Sequence, residues 1–255
     1  MIKRIITSFA PMYNQSDNNS NLETELLYGD IIKIINSKKG WYYCKNTSDN
    51  YKGWIQDKYI GEYQKNSHYI INKNSIVYQK PNINSPYIIY VYLNSKILIK
   101  DMQPDWTEII LDTVNFKNGF IPTNHIQPIN EKNKKNWLNY AKDFLGTPYL
   151  LGGKTIQGID CSGLVQLALE TNKFKFPRNT FDQISFLSKE ICDTNRIEKK
   201  CLIFWEGHVA IALNKNEVLH SNAFHMEVKI EPLERVIKRS LSMNKKILKI
   251  KKINF

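Results

Sequence analysis

The first half of the chain repeats itself, and that repetition limits the fold more than any other feature. Ala10-Pro11-Met12-Tyr13 is matched by Ser75-Ile76-Val77-Tyr78-Gln79-Lys80-Pro81. The segment Leu26 to Ile35 is matched by Tyr90 to Ile99, Trp41 to Cys44 by Trp106 to Ile109, and Gly53 to Gln56 by Gly119 to Pro122. The period is roughly 65 residues. Within each pass, short apolar and aromatic segments alternate with polar turns, a spacing that predicts a small all-β barrel. In the first pass Leu26-Leu27-Tyr28-Gly29-Asp30 reads as a diverging turn that feeds the strand Ile31 to Ile35. Two copies of one small unit are therefore expected, followed by the polar linker Pro128-Ile129-Asn130-Glu131-Lys132-Asn133-Lys134-Lys135-Asn136.

The second half has a different texture. Trp137-Leu138, Tyr140-Ala141 and Phe144-Leu145 recur at helical spacing up to Gly146, as a core-facing helix does. Next comes Gly158-Ile159-Asp160-Cys161-Ser162-Gly163-Leu164-Val165. It places a cysteine in what reads as the first turn of a buried helix, with Asp160 at the N-cap position. A helix N-terminus favours negative charge, so the expectation is a thiol whose pKa is lowered toward the reactive thiolate. An isolated buried cysteine is ordinarily structural. The neighbouring glycines and the polar Asp-Cys-Ser triplet weigh against that here.

A thiol nucleophile needs a base, and the base needs a partner that orients it. Phe204 to Leu213 reads as a strand with His208 near its start, and Val218-Leu219-His220-Ser221-Asn222 reads as the next strand. An antiparallel hairpin centred on Asn214 would set His208 opposite His220, on one face of the sheet.

Taken in order, Leu145-Gly146-Thr147-Pro148-Tyr149, Gly152-Gly153, Asp160-Cys161-Ser162-Gly163, His208-Val209 and His220 resemble the NlpC-type cell-wall cysteine peptidases. The resemblance runs from Trp137 to the C-terminus. Arg178, Thr180 and Gln183 fit that family's motif after the nucleophile helix. The order Leu-Tyr-Gly-Asp, Gly-Trp, Gly-Trp-Ile in the first half is similar to bacterial SH3-like modules. The resemblance implies an α+β chain with two small SH3-like β-barrels, residues 1–63 and 64–129, ahead of a papain-like NlpC-type catalytic domain, residues 130–255. Tandem modules in this position resemble the dipeptidyl-peptidase branch of the family, in which the first module helps bind the substrate's free N-terminal amine.

What the resemblance implies for the site is specific. Cys161 attacks the γ-D-glutamyl carbonyl of a peptidoglycan stem peptide, His208 is the base and His220 fixes its ring. The Tyr149 hydroxyl and the Cys161 backbone N–H are candidates for stabilising the oxyanion. Asp160, Ser162 and Thr180 lie toward the substrate amine, joined by Glu25 and Tyr51 from the first module. A buried Asp160 carboxylate awaiting an amine would reject substrates whose amine is capped. The expected substrate is a small peptide, L-Ala-γ-D-Glu-diamino acid, of the kind met in muropeptide recycling. Two departures stand out: Lys200-Cys201 replaces a usual Gly-Asp, and Leu151 replaces a common aromatic. Other readings are a papain-like amidase or acyltransferase, a hydrolase of intact peptidoglycan, and a non-catalytic polymer-binding protein.

Composition adds limits. At 42% hydrophobic and 12% aromatic, the 255 residues can bury a core. The net charge of +12 invites nucleic acid or an anionic surface as partner, but Lys is spread along the chain with Asn and Ile. No nucleic-acid partner is expected, and a monomer or weak oligomer is. Cys44, Cys161, Cys192 and Cys201 lack metal-ligand spacing, so neither metal nor cofactor is expected and the thiols are expected free. The apolar run Ile5 to Ala10 is too short for a signal-peptide core and no segment is long enough to span a membrane, so the expected location is cytoplasmic.

Overall fold

The computed structural model describes residues 1–113, 115–131, 135–188 and 196–253. It divides into two compact units, Met1–Asn133 and Lys134–Phe255.

The first unit holds two seven-stranded antiparallel sheets. Strands β1 (Ile2–Ile5), β2 (Phe9–Tyr13), β3 (Leu22–Leu27), β4 (Ile31–Lys38), β5 (Trp41–Asn46), β6 (Lys52–Gln56) and β7 (Ile60–Glu62) form one in the order β3-β2-β6-β5-β4-β1-β7. Strands β8 (His68–Ile70), β9 (Asn74–Tyr78), β10 (Tyr87–Tyr92), β11 (Lys96–Met102), β12 (Trp106–Ile110), β13 (Asn118–Pro122) and β14 (Ile126–Pro128) form the other in the order β10-β9-β13-β12-β11-β8-β14. The two orders are the same, strand for strand. Alternation does the sorting: Ala10 and Met12 on β2, Leu26 on β3, Cys44 on β5 and Ile55 on β6 turn into one core. Val77, Val91, Ile109 and Ile121 do the same in the other.

Each copy makes its diverging turn alike. In the first, the Leu27 N–H donates to the Asp30 carboxylate at 2.9 Å and Gly29 takes φ +78°. In the second, the Tyr92 N–H donates to the Ser95 hydroxyl at 3.0 Å and Asn94 takes φ +66°. This equivalence aligns Leu26 with Val91, one residue away from the sequence match of Leu26 with Tyr90.

The copies also touch. The Lys96 N–H donates to the Tyr28 carbonyl at 2.8 Å, and the Lys96 ammonium pairs with Asp30. Arg4 is buried, bonded through Nε to the Glu62 carbonyl at 3.0 Å and 3.5 Å from Asp112.

Among the described residues the second unit holds a five-stranded antiparallel sheet with four α-helices. Its elements are α1 (Trp137–Lys142), a short ribbon of β15 (Lys154–Thr155) with β16 (Gly158–Ile159), α2 (Cys161–Glu170), α3 (Thr180–Phe186), β17 (Cys201–Trp205), β18 (His208–Ala212), β19 (Glu217–Asn222), β20 (Glu227–Pro232), α4 (Leu233–Ser242) and β21 (Lys249–Lys252). The sheet order is β20-β19-β18-β17-β21. Nine of the ten α2 residues, Cys161 to Leu169, are buried, which is why that segment is apolar on all sides.

The hairpin of β18 and β19 departs from the expected register. Ile211 pairs with Leu219 and Ala212 with Val218, so the turn is centred on Lys215, not Asn214. The Asn214 side chain accepts from the backbone N–H of both Asn216 and Glu217, and the Leu213 N–H closes the loop on the Glu217 carbonyl. His208 and His220 are therefore diagonal neighbours, still on one face. Cys201 is free and buried, while Cys192 lies outside the described residues. Among the described residues no helix is long and apolar enough to cross a membrane.

Candidate active site

Cys161 opens α2 and is 6% exposed. Asp160 is the N-cap, as expected: its carboxylate accepts from the Gly163 N–H at 2.6 Å. Arg178 grips the same carboxylate with both nitrogens, at 2.9 and 2.7 Å, while the Gly152 N–H and the Ser162 hydroxyl add 2.8 and 3.2 Å bonds. Burial works to raise the Asp160 pKa, but the Arg178 charge and these donors outweigh it and hold the carboxylate low. Gly163 is needed for this approach, since a Cβ there would lie 2.7 Å from the Gly153 carbonyl oxygen.

Asp160 is 4% exposed and its two oxygens meet five donors, with the charge neutralised by Arg178. Asp160 therefore enters the site as one half of a buried ion pair with Arg178. Ser162 is drawn into the same network, accepting from Arg178 at 2.9 Å. Gln183 braces α2 from α3, donating to the Ser162 and Pro177 carbonyls at 3.0 and 2.9 Å.

The sulfur of Cys161 faces the start of β18. It donates to the Gly207 carbonyl at 4.0 Å and receives the Val209 N–H, so the residues on either side of His208 both reach it. The Thr180 hydroxyl, from the first turn of α3, is bonded to it as well. Burial pushes the thiol up to about 11, with the Asp160 charge acting the same way and the Val209, Thr180 and Arg178 contributions opposing. The expected lowering by the helix N-terminus is thus overturned: desolvation is the larger effect.

His208 is partly exposed at the head of β18. Its Nε2 is 2.8 Å from Nδ1 of His220, which is 1% exposed. The chain of contacts continues, because Nε2 of His220 is 2.8 Å from Oε1 of Glu231 on β20. The three residues run diagonally across β18, β19 and β20, with His220 opposite Lys229, two residues from Glu231. Arg239 from α4 grips Glu231 at 3.0 and 2.8 Å, and His225 lies 3.0 Å from Oε2. Burial works to raise the Glu231 pKa, but the His220, Arg239 and His225 bonds hold it well below the usual carboxylate range. Burial, aided by His220, Arg239 and Lys245, pushes His208 down to about 3, against the pull of Glu231. With Cys161 up and His208 down, the resting pair is a neutral thiol beside a neutral imidazole.

Tyr149 is held by backbone bonds. Its N–H donates to the Met226 carbonyl at 2.9 Å, and it bridges to Ile159, just ahead of Asp160. Burial, with the charges of Cys161 and Asp160, pushes its phenol up to about 12. It remains a donor at any ordinary pH. Ser221 ties the ends together, donating to the Ile159 carbonyl at 2.6 Å and so fixing the nucleophile's helix to the strand that carries His220. Thr180 and the backbone on either side of His208 therefore meet at the Cys161 sulfur, and Tyr149 lies within reach of its charge. The sequence reading missed Glu231 and Arg239. In the first unit, Glu25 is buried on β3, and Tyr51 donates to Glu23 Oε2 at 2.6 Å. Among the described residues no group of three His, Cys, Asp or Glu side chains could hold a metal ion.

A helix-borne thiol set against a histidine-bearing antiparallel sheet defines an α+β hydrolase unit behind a pair of small barrels. Family models agree: residues 146–244 match the NlpC/P60 family and residues 12–60 match the bacterial dipeptidyl-peptidase Sh3 domain. Dipeptidyl-peptidase 6 of Lysinibacillus sphaericus is 30% identical over 250 residues, covering 90% of this chain and 91% of that protein. The γ-D-glutamyl-L-lysine dipeptidyl-peptidase of Bacillus cereus is 23% identical over 249 residues, covering 85% and 72%. The crystal structure of an NlpC/P60 family protein from Bacillus cereus superposes with a TM-score of 0.78 at 20% identity, over 91% of this chain and 94% of that one. The chain belongs to the NlpC/P60 family of peptidases, in an architecture with SH3-like modules ahead of the hydrolase domain.

Proposed function

We propose that this chain is a cysteine peptidase that cleaves the γ-D-glutamyl–L-diamino acid bond of small stem peptides bearing a free N-terminal L-Ala. The observation that carries the reading is the convergence on the Cys161 sulfur of Val209, Thr180 and the loop holding His208, with His208 already bonded to His220 at 2.8 Å. The names of the two long relatives, both dipeptidyl-peptidases, support the exopeptidase mode, and the name of the Bacillus cereus protein supports the bond.

In this reading the thiol proton passes to His208 as the sulfur attacks the carbonyl carbon, because the resting pair is neutral. Tyr149, kept protonated, and the Cys161 N–H donate to the oxyanion. The tetrahedral species then collapses to a thioester as His208 returns the proton to the departing diamino-acid amine. Water, deprotonated by the same ring, releases the dipeptide and restores the thiol. Thr180 and the Arg178-locked pair Asp160 and Ser162 shape the floor next to the sulfur. In this reading Asp160, Ser162 and Thr180 take the substrate amine, with Glu25 and Tyr51 of the first barrel as further candidates. A role in recycling released wall peptides in the cytoplasm follows from the same specificity, since that amine is free only on released peptides.

Incubation with L-Ala-γ-D-Glu-L-Lys, free and N-acetylated, followed by mass spectrometry, tests it. The free peptide is expected to yield the dipeptide and lysine, with the acetylated form at least about 100-fold slower because a charge in the site is left unpaired. Cys161→Ser should abolish turnover. Cleavage of neither peptide rejects the proposal; equal cleavage of both rejects the amine requirement and favours action on intact peptidoglycan.

A further inference from the structure

We propose that Glu231 is a positioning residue for the base: it fixes the tautomer of His220 and, through it, leaves Nδ1 of His208 unprotonated and free to take a proton. The inference rests on the peptidase reading and goes one side chain beyond its Cys-His-His set.

The argument is one of donors and acceptors. A carboxylate can only accept. Glu231 Oε1 lies 2.8 Å from His220 Nε2, so that nitrogen carries the proton. In the neutral ring, Nδ1 of His220 is then an acceptor, and the group 2.8 Å from it, His208 Nε2, must be the donor. In neutral His208 this leaves Nδ1 bare. A ring that lacks a proton on its free nitrogen can take one from a thiol, and the opposite tautomer cannot. When His208 becomes an imidazolium during the reaction, its Nε2–H still donates to His220, whose own Nε2–H still donates to Glu231. No proton needs to travel beyond His208.

The carboxylate is built to stay charged and still. It is 5% exposed, and Arg239 holds both of its oxygens. The Arg239 guanidinium lies under the Phe224 ring, its carbon 4.2 Å from the centroid, and His225 closes the remaining side at 3.0 Å. The charged and titratable groups facing Glu231 are thus His220 from β19, His225 from the β19–β20 turn and Arg239 from α4. Oε1 accepts from both His220 and Arg239, and Oε2 accepts from Arg239. An amide in this place is frustrated: one of its two ends must present N–H to a guanidinium or to His220 Nε2–H. The relief is for His220 to move its proton to Nδ1. That forces His208 Nε2 to accept and puts the His208 proton on Nδ1, the nitrogen the base needs bare.

The test pairs kinetics with the ring protons themselves. In protein labelled with 15N-histidine, both His208 and His220 of the wild type are expected to carry the proton on Nε2 and to leave Nδ1 bare. In Glu231→Gln, His220 is expected to shift to Nδ1 protonation. With free L-Ala-γ-D-Glu-L-Lys, Glu231→Gln should lower kcat about 100-fold and change KM less than threefold, as loss of an orienting carboxylate does when it leaves a base in the wrong tautomer. Glu231→Asp, which keeps the charge, should recover at least about tenfold of that loss and restore the wild-type ring signals. Nδ1 protonation of His220 in the wild type overturns the proposal without reference to any variant, so a Glu231→Gln chain that fails to fold does not shield it. Wild-type kcat and ring signals in Glu231→Gln overturn it also. A wild type that cleaves neither peptide but shows the expected ring protons removes the peptidase reading while leaving the Glu231 assignment standing.

Discussion

The two barrels share one strand order and one turn, yet they are not equipped alike. Tyr13 meets Trp41 edge-on at 5.8 Å, and Tyr78 meets Trp106 edge-on at 5.5 Å. Gly53 lies against Met12 where Gly119 lies against Val77. Asn46 bonds the Tyr51 carbonyl as Leu111 bonds that of Lys117. Pairing on the edge strand settles the remaining equivalence: Glu25 faces Pro11, and Tyr90 faces Ile76. So the buried acid of the first copy, 4% exposed, is a 39% exposed tyrosine in the second, and Tyr51 is a lysine. What repeats is scaffold. What differs is polar equipment: among the described residues, buried acids occur in the first copy, at Glu25 and Asp30, and not in the second.

That contrast can be broken by paired substitutions. The largest effect is expected where a repeated position is crowded in one copy only. At Gly29, φ is +78° and a Cβ would stand 1.9 Å from the Lys96 carbonyl oxygen. Gly29→Ala should cost about 3 kcal/mol, whereas Asn94→Ala should cost only about 1 kcal/mol for its left-handed backbone. Urea unfolding measures both, and equal losses would mean that the two turns are interchangeable. Next in size, Glu25→Gln should lower kcat/KM on the free tripeptide about 100-fold with Tyr90→Phe unchanged within twofold, since a substrate amine would lose its charged partner. Equal kinetics for these two variants would remove the division of labour. The smallest effect is expected for Tyr51→Phe, about a tenfold rise in KM from one lost hydrogen bond to a charged group, against none for Lys117→Met.

Much of this architecture could be read from residues. Asp160 capping Cys161 was legible because capping is local. The repeat was legible because both copies need the same turn, glycine and aromatic pair. The places that escaped reading depend on side chains meeting across distance. The His208–His220 register slipped by one pair because Asn214 caps its own turn, which periodicity does not reveal. The thiol's direction of shift failed because burial of α2 on all sides outweighs its N-terminus. Nothing local announces that Arg178, 18 residues on, will pair with Asp160. Glu231 precedes Pro232 and Arg239 lies in α4 as an ordinary acid and base, and their meeting at His220 is set by how β20 pairs with β19 and α4 returns against β20. The absent Gly of Lys200-Cys201 leaves a trace: Lys200 adopts φ +74°, the conformation a glycine would take without strain.

The backbone bond from Lys96 to Tyr28, with Asp30 gripping the same lysine, has a consequence for the evolution of the tandem. A duplicated module normally begins as a free-standing unit that can be lost or shuffled. Here the bend of the leading copy is completed by its successor, so excising the trailing copy would strip a carbonyl and a carboxylate of their mates. The pair is inherited, or discarded, together.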